Sequence, residues 1–179
     1  MKIYMSNIEQ IKNIAELEQK LSKSELVQYD KFSNNNRKLQ YLLAHAIVKD
    51  VCGENISVDE NGVPSVKSGF VSIAHKDNWV VVAISNNRVG VDIENTNINR
   101  DFVGQSELLN LPISKDKDVF YKNFVKYESM FKYGKSASGK NIYFYKMENY
   151  LIGICSIEKA SDIEFVLSGA GNIRFVCAE

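Results

Sequence analysis

The chain has 179 residues, 45% of them apolar and 25% charged, with 22 basic side chains against 22 acidic ones. This composition excludes a disordered tail, a collagen-like chain and a repeat array. A net charge of zero also excludes a whole-surface field that would select nucleic acid or an anionic membrane.

Residues 2–5 read as a short strand. Ile8, Ile11, Ile14, Ala15, Leu17 and Leu21 recur at helical spacing and predict a helix over 7–22. A second helix starts after Ser33 or one of Asn34–Asn36, all good N-cap types. Leu39, Leu42, Leu43, Ala46, Ile47 and Val51 form its apolar stripe, and Gly53 ends it. Asn61-Gly62 marks a turn before Pro64. Residues 70–75, 80–84 and 89–93 read as three neighbouring strands. The middle one is a continuous apolar run suited to a sheet centre, and Asn86-Asn87 signals a tight hairpin between the last two. A short helix is expected at 107–109 and a long one at about 116–133, stopped by Gly134. Strands at about 141–147, 150–157, 162–166 and 173–177 finish the chain. The order predicts an α+β fold of two similar halves, 1–100 and 101–179, each a helix packed on a small antiparallel sheet.

Cys52, Cys155 and Cys177 sit beside apolar residues with no Cys-x-x-Cys spacing, so they read as buried thiols of a reducing compartment. The N-terminus lacks an apolar targeting core, and no apolar run is long enough to span a bilayer. A soluble, cytoplasmic protein is expected, with no nucleic-acid or membrane partner.

Three clusters carry candidate chemistry. In Gly90-Val91-Asp92-Ile93-Glu94, alternation puts Asp92 and Glu94 on one strand face and Val91 and Ile93 on the other. The two acids are either a solvated strand face or a pair able to share a hard cation. On the long helix, Phe124, Glu128 and Lys132 share a face. They form either an i,i+4 salt bridge or a metal ligand followed by a phosphate contact. His75 ends a strand beside Lys76, either as a surface histidine at a turn or as a phosphate contact. His45 reads as a surface or half-buried helix residue without a catalytic role. Residues 115–146 carry eight lysines against Asp116, Asp118 and Glu128, which suits an anionic ligand or an acidic partner.

The order strand-histidine-strand, then Gly-Val-Asp-Ile-Glu, then a helix with Phe-x-x-x-Glu-x-x-x-Lys resembles the phosphopantetheinyl transferase superfamily, in particular its pseudodimeric Sfp-like type. The likeness runs from about residue 61 to 135, is weaker over 29–60, and is only topological beyond. It implies two α+β halves related by a pseudo-twofold axis, one monomeric unit with the active site in the cleft between them. It implies magnesium held by Asp92, Glu94 and Glu128, coenzyme A as co-substrate, and Lys132 on the pyrophosphate. His75, Arg37 and Lys135 would help hold the nucleotide. The activity implied is transfer of the 4′-phosphopantetheine arm of coenzyme A to a serine of an acyl or peptidyl carrier protein, releasing 3′,5′-adenosine bisphosphate. Glu128 would take the serine proton directly or through a bound water, and Lys132 would meet the charge on the leaving oxygen. The chain departs from the family at Tyr127, Val63 and Gln40, where cations are usual, and at Ala74, where serine is usual. The alternative is a weak or inactive relative that binds coenzyme A or a carrier protein without turnover.

Overall fold

A computed structural model describes residues 1–59, 63–134, 137–168 and 173–179. It begins with β1 (Lys2–Asn7), a 3-10 turn (Ile8–Gln10), α1 (Ile14–Glu18), α2 (Lys23–Asp30) and α3 (Asn35–Cys52). Then come β2 (Ser57–Val58), β3 (Pro64–Val66), β4 (Gly69–Lys76), β5 (Trp79–Ser85) and β6 (Val89–Asn95). The rest is α4 (Phe102–Leu108), α5 (Lys117–Tyr133), β7 (Asn141–Met147), β8 (Tyr150–Ser156), β9 (Glu164–Ser168) and β10 (Arg174–Ala178). The protein is therefore α+β. The expected Asn61-Gly62 turn lies outside the described residues.

Among the described residues the strands form two sheets, ordered β2-β3-β4-β5-β1-β9 and β10-β7-β8-β6. Their inner faces meet in one core, built from Ile3, Met5, Val81 and Ala83 on one side and Val91, Ile93, Ile152 and Ile154 on the other. Helix α3 covers the outer face of the first sheet through Ala44 and Val48. Helix α5 covers the second through Phe120, Tyr121 and Val125. Residues 80–84 of β5 are apolar throughout because Val81 and Ala83 face the other sheet while Val80 and Val82 face α3.

One connectivity occurs twice. A strand leads to a long helix and then a hairpin, whose second arm returns antiparallel to the first strand: β1, α3, β4, β5, and again β6, α5, β7, β8. Both hairpins close with two-residue turns whose first residue has positive φ, Asp77 at 50° and Glu148 at 51°. In both, the residue after the first strand donates its N–H to the second turn residue, Ile8 to Asn78 O at 2.9 Å and Thr96 to Asn149 O at 2.7 Å.

Four expectations are corrected. The segment 7–22 is not one helix, because the Asn7 and Asn13 side chains accept from Glu9 and Glu16 N–H groups and restart the chain. A reciprocal capping box at Ser22 and Glu25 then starts α2, which the apolar pattern did not reveal. The hairpin at Asn86-Asn87 is absent: β5 already has β4 and β1 on its two edges, so β6 crosses to pair with β8. Finally, β9 leaves its neighbours and runs parallel to β1 in the first sheet. Of the three free thiols, only Cys155 is buried, whereas Cys52 and Cys177 are half-buried.

Candidate functional site

The site begins at β6. Asp92 and Glu94 point toward α5, opposite to Val91 and Ile93, and both are buried, at 7% and 9% exposure. A solvated strand face is thereby excluded. Two glycines let the helix come this close. A Cβ on Gly90 would collide with the Ser129 carbonyl, and one on Gly153, the cross-strand partner of Asp92, would lie 2.8 Å from the Val125 carbonyl oxygen. Edge strand β6 is also tied to the other sheet, since Val91 N–H donates to Ser72 Oγ at 3.0 Å.

Lys132 reaches from the last turn of α5 to Asp92 Oδ1 at 2.7 Å, joining the strand motif to the helix motif. It does not pair with Glu128, so the i,i+4 salt bridge is excluded; Glu128 makes no ion pair with a described residue. Glu94 Oε2 accepts two cations, Lys76 Nζ at 2.8 Å and Arg100 Nη2 at 2.5 Å. The Arg100 guanidinium lies over the rings of Tyr121 and Phe124, at 5.4 and 5.6 Å, which holds it in place. Asp92 Oδ2 is buried with no hydrogen-bond partner among the described residues. Burial raises the Asp92 pKa to about 6; Lys132 opposes the shift, while Glu94 and Glu128 add to it.

His75 stands exposed at the end of β4. Desolvation of its ring, then the charges of Arg37, Lys132 and Lys76, push its pKa down to about 4, so it is neutral at pH 7. Arg37, in the first turn of α3, donates to Gln40 Oε1 at 2.9 Å and lies 5.2 Å over the Phe32 ring. Gln40, itself buried, donates to the Asp77 carbonyl at 2.6 Å. It therefore ties Arg37 to the turn that follows His75. Arg37 has no carboxylate partner among the described residues.

The structure thus joins Lys132 to Asp92, and Lys76 and Arg100 to Glu94, across α5, β4, β6 and the loop after β6; among the described residues neither His75 nor Arg37 makes an ion pair with these acids. Lys135 lies outside the described residues. Two contributors escaped the sequence reading. Lys76 was legible by strand alternation, which turns it away from His75 and toward β6. Arg100 carried no signal, because it folds back on Glu94 from an irregular loop. Ala74 belongs to the core between the sheets, so its missing hydroxyl takes nothing from the site. His45 is buried rather than on the surface, with Nδ1 2.6 Å from Glu25 Oε1.

The donors suit magnesium in kind, since carboxylate oxygens are what it takes and Asp92 Oδ2 awaits a partner. Among the described residues, however, no three His, Cys, Asp or Glu side chains converge to hold a metal ion. Lys132, Lys76 and Arg100 neutralise the acids instead. No family model and no curated protein matches this sequence. No described helix is long and apolar enough to cross a membrane.

Proposed function

We propose that this protein is a 4′-phosphopantetheinyl transferase of the Sfp-like type, acting on coenzyme A and an acyl or peptidyl carrier protein. The observation that carries the reading is the Lys132–Asp92 pair at 2.7 Å. That pair brings the strand motif and the helix motif, forty residues apart, into one contact. The repeated strand–helix–hairpin connectivity supports two halves related by a pseudo-twofold axis, divided between β5 and β6 rather than at residue 100, because β6 pairs with β8 in the second sheet, while β9 crosses to the first.

Phosphoryl transfer asks a protein mainly for positioning and charge neutralisation. Asp92, Glu94 and Glu128 are the carboxylates that would hold magnesium if Asp92 and Glu94 exchanged their present cations for it, and the ion would then supply charge to the pyrophosphate. Arg37 and neutral His75 offer donors to the nucleotide phosphates on the first half. The carrier serine Oγ bonds to the β-phosphorus, the bridging P–O bond breaks, and 3′,5′-adenosine bisphosphate leaves. Glu128, the acid with no ion pair among the described residues, takes the serine proton. Lys132 is then the cation for the leaving oxygen, which requires it to exchange Asp92 for phosphate.

The test is incubation with coenzyme A, magnesium and a carrier protein, read as the mass gain of one phosphopantetheine on the carrier. No mass gain together with no calorimetric binding of coenzyme A overturns the proposal. A second reading, a binder of coenzyme A without turnover, is favoured by the neutralisation of Asp92 and Glu94 by the protein's own cations. Binding without any mass gain would select it.

A further inference from the structure

A cavity of about 400 Å³ lies between the first turns of α5 and the outer strands of the second sheet. Its size falls within the range of about 300–1,000 Å³ usual for small-molecule sites. Phe144, Leu151 and Val176 give it an apolar floor, while Lys122, Lys146 and Arg174 line it with positive charge. Asp118 is the one carboxylate among the described residues lining it.

The cations are not equivalent. Lys122 is already paired with Glu179 and sits 5.0 Å over the Phe144 ring. Lys146 and Arg174 have no carboxylate within ion-pair distance among the described residues. They are direct cross-strand partners on β7 and β10, so their side chains leave the same sheet face with Cβ atoms about 5 Å apart. Like charges directly opposed on an antiparallel pair are destabilising. Alternation puts Lys146 on the face of Phe144, two residues earlier, so the opposed charges and the apolar floor front the same space. The end of α5 does not explain them, because its first N–H groups are taken by the Asp116 side chain at 2.8 and 3.1 Å.

Two facing cations with no ion-pair partner among the described residues, over an aromatic and aliphatic floor, match a ligand with a charged head and an apolar body. We propose that this cavity binds a small amphiphilic anion, its carboxylate or phosphate head bridging Lys146 and Arg174 and its hydrocarbon part covering Phe144, Leu151 and Val176. Tyr121 is the wall shared with the acid–cation site, since its ring lines the cavity and also carries Arg100. The inference stands independently of the transferase reading.

Calorimetric titration of the full chain with dodecanoate, monododecyl phosphate and dodecanol, all below micelle formation, tests it. At least one of the two anions is expected to bind with one-to-one stoichiometry, about tenfold or more tighter than the neutral alcohol, the scale of one charge-assisted hydrogen bond. The tighter head group tells carboxylate from phosphate as the source. Lys146→Gln and Arg174→Gln should each weaken that binding by about tenfold or more. Without ligand, both variants should melt no lower than the wild type, because each relieves the opposed charge. Absence of binding by both anions, equal binding of dodecanol, or unchanged anion binding in both variants would overturn the proposal. So would a fall in melting temperature in both, which would make the two cations parts of the fold.

Discussion

Replacing Asp92 by asparagine should stabilise the ligand-free protein while destroying its proposed activity. Asp92 is 7% exposed, with one oxygen on Lys132 at 2.7 Å and the other buried without a hydrogen-bond partner among the described residues. Burial, offset in part by Lys132 and reinforced by Glu94 and Glu128, lifts its pKa from 3.8 to about 6. An acid whose pKa is higher in the folded state binds its proton more tightly there, so ionising it opposes folding. Its contribution to stability is fully present below 3.8 and is lost as pH rises through about 6. At about 1.4 kcal/mol per unit, ionised Asp92 costs about 3 kcal/mol at neutral pH and above. Asparagine keeps the shape of the protonated acid and cannot ionise. Asp92→Asn should therefore gain up to about 3 kcal/mol near pH 8 and almost nothing below pH 4. For a chain of this length the gain corresponds to about 6–12 °C in Tm. Urea unfolding of both proteins without metal, at matched ionic strength across that pH range, measures it. An asparagine variant equal to or less stable than the wild type near pH 8 would make Asp92 a structural group and refute the reasoning.

Lys132→Met should lower stability by about 2 kcal/mol above pH 6, where Asp92 would otherwise be ionised, and by little at pH 5. Lys126→Ala removes only an exposed pair with Glu179 and should cost less than about 1 kcal/mol; thermal melts of both variants compare them. Glu25→Ala strips a buried acceptor that takes His45, Asn55 and the Ser22 and Ile56 N–H groups. It should cost about 3–5 kcal/mol by urea unfolding, more than any surface acid. Gly90→Ala forces a methyl against the Ser129 carbonyl and to 2.6 Å from Tyr133 N, so a loss of about 3 kcal/mol or more is expected by the same assay. On the proposed function, Tyr127→Lys adds a charge-assisted contact and should tighten coenzyme A binding by about 10- to 100-fold in calorimetry.

Much of this protein is determined by local pattern. Helix α3 starts at an Asn34 cap and ends at Gly53 with φ 70°, and α5 starts at an Asp116 cap and ends at Gly134, all within a few covalent bonds of where the sequence marks them. The alternation that turns Asp92 and Glu94 away from Val91 and Ile93 is equally local, as is the helix face shared by Glu128 and Lys132. What sequence could not decide is which edges meet. Strand β6 reads as the partner of β5 because turn chemistry is visible and sheet occupancy is not; only the folded chain shows that β1 has already taken the free edge of β5. The same blindness hides Arg100 and makes Glu128–Lys132 look like an ion pair. Lys132 finds Asp92 instead because Gly90 and Gly153 let the α5 backbone press onto the strands, bringing residues forty positions apart within 2.7 Å. Burial then sets the charge state of Asp92, since the desolvation that lifts its pKa to about 6 exists only once α5 closes over β6.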